Sequence, residues 1–474
     1  MASLSARALA ALIVGWRDLA NGPAYAALAD RVRLLILDGR ITLGTRLPAE
    51  RELAAQLGLS RTTVSAAYAD LRDSGYLDSL RGSGSVARLP SRGGIVPDVF
   101  VTDQLDFSKA VLPAHPAVAD AAQRAVAALP SFLDESGFDP MGMRLARQAI
   151  ADRYTARGLP TDADEVLITV GAQHAIVLLA HTLLSRGDRA IIESPSFPHA
   201  VEAIRAAGAR VVAVPVTPDE GWDASALEQA FQRTSPVLAY LMPDNHNPTG
   251  ATMPRAQREQ VVALAAEQGT TLIIDETIGG LELDGQAAQP PFATLGRAVM
   301  LGSLGKSVWG GLRIGWIRAD RELIQRVARN RFAASDLGTP ILEQLILVDL
   351  LADLDRILDD RRAYLRASRD HLARRLAEDL PSWRMPTVAG GIAAWVNIGL
   401  PISSQLALAA RNEGLVIAAG ARFGVEGLFE RFIRIPFTYP PDVIDRGVDA
   451  LAAAWRSVAR TPLAVTDGDY AQVV

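Results

Sequence analysis

From Ala24 to Asp38 apolar residues recur at Leu28, Val32, Leu35 and Ile36, the spacing of one helical stripe, and Gly39 ends it. Pro48 opens a second predicted helix, Ala49 to Leu57, with Leu53, Ala54 and Leu57 on its apolar face and Gly58 as its stop. Ser60 is placed to cap a third, running to about Ser74, with Val64, Ala67, Tyr68 and Leu71 inward and Gly75 as breaker. Two short helices joined by a tight glycine turn have the proportions of a helix-turn-helix. After them, Tyr76–Ser79 and Ser85–Arg88 can pair around the basic, glycine-rich tip Leu80-Arg81-Gly82-Ser83-Gly84. Residues 89–104 carry Pro, Gly and Ser without a period and read as a tether.

Beyond the tether the pattern changes. Short buried-strand runs occur at Val166–Val170, Ala190–Glu193, Arg210–Val214, Val237–Leu241, Thr271–Asp275, Ala298–Leu301 and Arg313–Ile317, with helical patterns between most of them. That alternation predicts a mostly parallel sheet wrapped by helices. From about Asp320 through Arg374 the pattern is helical, and candidate strands at Ile392–Asn397 and Phe432–Ile435 mark a smaller α+β tail. The expected layout is therefore multidomain: residues 1–88, the tether 89–104, and a body 105–474 with a large α/β part at about 135–320 and a small C-terminal α+β part at about 375–474.

Composition adjusts this picture in three places. The net charge is −5, yet residues 1–90 hold eleven arginines against eight acids, so the basic excess sits in the small helical module. There is no cysteine, which removes disulfides and thiolate chemistry, and the six histidines show no ligand spacing, so no metal is expected. The apolar stretch 8–16 is too short to span a bilayer and lacks the features of a signal peptide, so no membrane association and a cytoplasmic location are expected.

Candidate chemistry centres on Lys306. Of 48 basic residues only Lys109 and Lys306 are lysines. Arginine stays charged in a protein, whereas a lysine can lose its proton and condense with an aldehyde. Ser303, Arg313 and the glycines at 305, 310, 311 and 315 surround it; a phosphate suits a charged fork, a hydroxyl and closely approaching N–H groups. Gly171-Ala172-Gln173 follows a strand and opens a helix, whose positive end also suits a phosphate, although a plain tight turn would read the same way. Asp275 closes an apolar strand, where an unpaired carboxylate is costly. In the small module, Arg51, Arg61, Thr62, Thr63 and Ser65 cluster on and beside the start of the third helix, the end that enters the major groove in a helix-turn-helix, and Arg81 sits at the hairpin tip.

Two resemblances organise these residues. S-x-x-K followed by G-G-L-R-I-G, with His246-Asn247-Pro248-Thr249-Gly250 upstream, resembles the fold-type-I pyridoxal phosphate (PLP) enzymes of the aspartate aminotransferase superfamily. The resemblance implies Lys306 as the Schiff-base lysine, Gly171, Ala172, Gln173, Ser303 and Arg313 around the phosphate, and Phe197 over the pyridine ring. It further implies Asn247 on the phenolic oxygen, Asp275 on the pyridinium nitrogen and Arg434 on a substrate carboxylate. G-T-R-L-P-A-E-R-E-L-A-A-Q-L-G-L-S-R-T-T-V (44–64), followed by G-Y-L and R-G-S-G-S, resembles the winged helix of GntR-type regulators. Arg51, Arg61, Thr63 and the wing residues Arg81 and Gly82 are then the DNA-contact candidates.

A winged helix-turn-helix joined to a fold-type-I PLP domain is the layout of the MocR subfamily. That likeness implies a PLP-dependent regulator that binds double-stranded operator DNA as a head-to-tail homodimer. It would sense an amine or amino acid, or PLP itself, through an aldimine at Lys306. A working aminotransferase with an accessory DNA-binding module is the alternative. Two departures bear on turnover. Phe138 stands in Gly137-Phe138-Asp139-Pro140 where relatives often carry tyrosine, and Asp275-Glu276-Thr277-Ile278 lacks the tyrosine that many relatives aim at the phenolic oxygen, leaving Thr277 as a candidate substitute.

Overall fold

The computed structural model describes residues 3–13, 16–17, 23–37, 40–41, 44–80, 84–88, 104–134, 136–425 and 428–458. The N-terminal module has four helices, α1 (Ala6–Leu12), α2 (Ala24–Leu37), α3 (Glu50–Leu57) and α4 (Arg61–Asp73), then the antiparallel pair β1 (Leu77–Leu80) and β2 (Gly84–Ala87). The inner faces are those the periodicity predicts: Leu28, Val32, Leu35, Ile36, Leu53, Val64, Ala67, Tyr68 and Leu71 share one apolar core. Gly58 ends α3 in the left-handed region at φ 63°, and the Ser60 hydroxyl accepts from the Thr63 amide at 3.1 Å to start α4. One element was not foreseen. The apolar stretch 8–16 includes most of α1, which places Leu9, Ile13 and Trp16 in the same core.

The body contains β3 (Leu105–Asp106), α5 (Ala117–Ala128), α6 (Arg144–Ala156), β4 (Val166–Thr169), α7 (Ala172–Leu183), β5 (Arg189–Ser194), α8 (Pro198–Ala206), β6 (Arg210–Thr217), β7 (Gly221–Trp222) and α9 (Ala224–Thr234). It continues with β8 (Leu238–Leu241), α10 (Arg255–Gln268), β9 (Thr271–Asp275), β10 (Val299–Ser303), β11 (Gly315–Arg318), α11 (Arg321–Ala334), α12 (Ile341–Ala352) and α13 (Leu354–Asp379). The small part adds β12 (Ala393–Asn397), α14 (Ser403–Asn412), β13 (Leu415–Val416), β14 (Ala418–Ala419), β15 (Phe432–Pro436) and α15 (Pro441–Val458). Eight strands form one sheet in the order β4-β11-β10-β9-β8-β5-β6-β7, parallel except for β11 and the short edge strand β7. Helices cover both faces, so β4 and β8 are buried at every position. The small part carries the sheet β12-β15-β14, while β3 pairs with β13 and ties the start of the body to its end.

This topology sets the site. In a parallel sheet the carboxyl ends of the strands share one edge, where ligands bind. Asp275 closes β9, Ser303 closes β10, and Gly171 follows β4 at that edge. Because β11 runs the other way, the residue before it arrives at the same edge. Ser303 lies opposite Gly315, and Gly315 opposite Thr169, which brings Arg313 beside the first turn of α7. Gly315 cannot carry a side chain there, since a Cβ would stand 2.8 Å from the Gly171 carbonyl carbon and 2.9 Å from the Gly302 oxygen.

Candidate functional site

The loop after β10 is fastened at its base. The Ser303 hydroxyl donates to the Ile314 carbonyl at 2.8 Å and accepts from the Gly305 amide at 3.1 Å. Beyond it Lys306 turns inward, its Nζ donating to the Ala110 carbonyl at 2.8 Å. Burial foremost, then the Arg434 and Arg313 charges, push its amine down to about 8, with Asp275 acting against them. At pH 7 roughly a tenth of such amines are neutral, against well under a thousandth for an ordinary lysine. The amine is thus set up as a nucleophile.

Asp275 is buried, and burial raises its carboxyl above the usual range although three donors support the anion. Tyr240 from the neighbouring β8 donates to Oδ2 at 2.5 Å, and the Thr277 amide and hydroxyl donate to Oδ1 at 2.9 and 2.6 Å. Thr277 is therefore engaged by Asp275, which argues against a substitute role on a phenolic oxygen. Gly171, at φ 80°, precedes α7, and the Arg313 guanidinium stands over it, 3.1 Å from where a Cβ would be. Arg313 itself adopts φ 46° and donates to the Val170 carbonyl at 3.2 Å. It pairs with no carboxylate among the described residues. Gln173 donates to the His199 carbonyl at 3.3 Å while its buried Oε1 has no partner. The first amides of α7, on half-buried Ala172 and Gln173, and a guanidinium with no carboxylate partner among the described residues make an anion-binding corner.

Arg434, on β15, is only 7 % exposed. It donates to Asn247 Oδ1 at 3.4 Å and to the Ser108 carbonyl, stacks on Phe423 at 5.0 Å, and its Nε has no partner. Burial lowers its guanidinium to about 10. An internal salt bridge would have been the ordinary explanation for a core arginine, and among the described residues Arg434 has none. Lys306, Phe197 and Arg434 line one cavity of about 480 Å³, which also takes in Leu34 of α2. A larger hollow of about 830 Å³ opens at the opposite strand ends, beside Thr271 and Val299, away from all of these groups.

Sequence reasoning missed several buried partners. Glu193 accepts from Trp222 Nε1 at 2.7 Å and from the Met242 amide, with His246 Nε2 at 3.3 Å. Glu276, raised to about 7 by burial, faces Tyr154, which in turn accepts from Trp316 Nε1 at 3.1 Å. A lone Tyr240 or Glu193 inside an otherwise apolar strand was the available signal. Phe138 is 69 % exposed, and Lys109 pairs with Asp106 at 2.9 Å at the cavity rim.

In the N-terminal module Arg51, Arg61 and Thr62 are exposed, and Thr63 and Ser65 half-buried. The Thr62 and Thr63 hydroxyls each lie 2.7 Å from Ser60 Oγ, so Arg51 and Arg61 are the less encumbered groups. Arg81 and Gly82 fall outside the described residues. Among the described residues no group of side chains could hold a metal, and no helix is long and apolar enough to cross a membrane.

Residues 103–451 match the family model for aminotransferase class I and II, and residues 24–86 that for bacterial regulatory proteins of the gntR family. The chain belongs to the MocR-type GntR regulators. This MocR-type chain is 30% identical over 451 residues to the HTH-type transcriptional regulator YdcR of Escherichia coli K12, covering 86% of this chain and 94% of that one. It is 28% identical to the HTH-type transcriptional regulator TauR of Rhodobacter capsulatus, over 89% of this chain and 94% of TauR. It is also 29% identical to 2-aminoadipate transaminase of Thermus thermophilus, over 64% of this chain and 79% of the enzyme. Among solved structures, the alpha-aminoadipate aminotransferase LysN from Thermus thermophilus, complexed with N-(5'-phosphopyridoxyl)-L-leucine, superposes with a TM-score of 0.69 at 26% identity, over 75% of this chain and 93% of LysN. The MocR-type domain pair joins a DNA-binding module to a PLP-dependent aminotransferase fold.

Proposed function

We propose that the protein is a transcriptional regulator that holds PLP on Lys306 and uses the cleft beside it to sense a small amine or amino acid. The observation that carries the reading is the shared wall: Leu34, from the DNA-binding module, lines the cavity that contains Lys306 and Arg434. A ligand that changes the preferred position of α2 there has a direct way to alter how α4 is presented to DNA.

The residues fit the cofactor. A partly neutral amine suits its aldehyde, and the corner of Gly171, Ala172 and Arg313, with Ser303 bracing the loop beside it, suits its phosphate. Asp275 is the acceptor for the ring nitrogen, held in place by Tyr240 and Thr277. Asn247 is the donor for the phenolic oxygen, Phe197 covers the ring, and Arg434 takes an effector carboxylate. When bound, PLP supplies an electron sink for amino compounds. The chain's own residues orient it, neutralise its phosphate and keep an arginine ready beside it.

A head-to-tail homodimer belongs to the same reading. Phe138, Trp309, Phe332 and Leu337 are large apolar side chains exposed in the single chain, as a subunit contact would require. The second reading, a working aminotransferase, draws on the intact Lys306–Asp275–Arg434 set and on the transaminase relatives. Against it stand Phe138, which offers no hydroxyl, and Thr277, already bound to Asp275.

The deciding measurement is operator binding by fluorescence anisotropy at fixed salt, using DNA upstream of the gene. Affinity is expected to change at least tenfold when PLP and an amino-acid effector are added together. Unchanged affinity combined with multiple turnovers of amino acid and keto acid would give the protein to the second reading.

A further inference from the structure

The cavity that contains Lys306 has a one-sided charge. Its titratable lining consists of Lys109, His199, Lys306, Arg411, Arg422 and Arg434, with no Asp or Glu among the described residues that line it. Three of these are already answered from behind the wall: Lys109 by Asp106 at 2.9 Å, and Arg422 and His199 by Glu202 at 3.3 and 2.9 Å. The Asp106 charge acts on Arg434 from a distance, but its oxygens are taken up by the Ser108 amide and hydroxyl and by Lys109. Once Lys306 is assigned to the cofactor, two cations remain unanswered. One is the buried Arg434 with its free Nε; the other is Arg411, in the last turn of α14, exposed and without an ion pair among the described residues.

We infer that the effector is an amino compound with two acidic groups, one held by Arg434 and the second by Arg411. This rests on the function proposed above and narrows it to a ligand class. A buried guanidinium without a counter-ion is costly, and a ligand carboxylate removes that cost with a bidentate pair. A single-acid ligand would satisfy Arg434 and leave the positive field at the rim unanswered. A diamine would bring a second cation into a cavity that already repels one. The same cavity is lined by Leu34, Leu408, Ile417 and Phe423, so an aliphatic chain joining the two acids has apolar surface to pack on. The structural alternative for Arg411 is a favourable charge at a helix C-terminus, which would not discriminate between ligands.

The test uses the full-length protein in two states. With PLP loaded, L-glutamate, L-2-aminoadipate, L-norvaline and putrescine are titrated while the cofactor absorbance is followed. The dicarboxylic amino acids are expected to bind at least tenfold more tightly than norvaline, with putrescine weakest. Arg411→Ala is expected to bring the three amino acids to parity, and Arg411→Lys to keep most of the preference. Without PLP, calorimetry with glutarate and valerate reads the same arginines independently of the cofactor, and glutarate is expected to bind more tightly in a manner lost in Arg411→Ala. Parity between dicarboxylic and monocarboxylic ligands in the native protein, tighter binding of putrescine, or a preference that survives Arg411→Ala overturns the inference. A glutarate preference in a protein that never takes up PLP would overturn the proposed function and leave the two-acid site standing.

Discussion

The two halves of the molecule bury different things. Among the described residues of the N-terminal module the core is apolar apart from Thr45 and Tyr68, whose hydroxyl donates to the Pro48 carbonyl at 3.0 Å, and no charged side chain is fully buried. The body buries Glu193, Asp275, Arg258, Arg331, Arg361 and Arg434. Some of these are structural rivets: Arg331 holds the Ile168 carbonyl at 2.7 Å and the Thr339 hydroxyl at 3.0 Å, and Arg258 holds Asp244 at 2.6 Å. Arg434 is the contrast, buried and, among the described residues, left without a counter-ion. A module that reads a partner through its surface needs only a stable core behind that surface. A module that holds a small molecule must keep polar groups desolvated and incompletely matched before the ligand arrives.

Each half can be challenged separately, and the largest effect is expected at the amine. Lys306→Ala should abolish borohydride-stable incorporation of PLP, read by mass spectrometry, while leaving salt-sensitive DNA binding in place. If that variant also loses DNA binding without ligand, the halves are not separable. Next, Arg434→Ala should weaken carboxylate-bearing effectors by about 2–4 kcal/mol, roughly 30- to 1000-fold, with PLP uptake retained. Acidity gives a third test. Since the neutral amine is the reactive form and its proton leaves at about 8, capture of PLP should quicken close to tenfold per pH unit below 8 and level off above it. A profile still rising at pH 10 would mean an ordinary lysine.

On the DNA side, Arg61→Ala should cost about tenfold in operator affinity, with the effector absorbance unchanged. The smallest effect is expected where the halves touch. Arg31 of α2 lies 3.7 Å from Glu430, which is anchored by the Ser403 and Ser404 hydroxyls at 2.9 and 2.7 Å. At 3.7 Å the contact is long, and Glu430 keeps both serine donors without Arg31, so Arg31→Ala should alter only the coupling between effector and DNA, a few-fold at most.

The same contrast explains what could be read beforehand. The inner faces of α2, α3 and α4 follow a helical period because nothing but apolar burial shapes them, and they were legible residue by residue. α1 was not, because its few apolar residues meet their partners only in the folded core. In the body, strands such as Thr271–Asp275 were legible as apolar runs. Lys306, Asp275 and the Asn247 turn were legible as motifs, since their spacing is local. Tyr240 and Thr277 were missed as partners of Asp275 for a physical reason: one lies across a strand pair, and the other depends on how the chain turns after β9. Their roles toward the cofactor remain proposals that the variants above address.

The reversed strand β11 has one more consequence. Ser303 and Arg313 stand at the two ends of a return loop whose register is locked where Ser303 faces Gly315. A single-residue insertion or deletion that slips this register turns every side chain of β11 to the opposite face and carries the guanidinium out of its corner. The distance between serine and arginine along the chain therefore acts as a ruler. In remote descendants of this architecture, a changed interval would signal that the vitamin has been abandoned, even where the lysine survives.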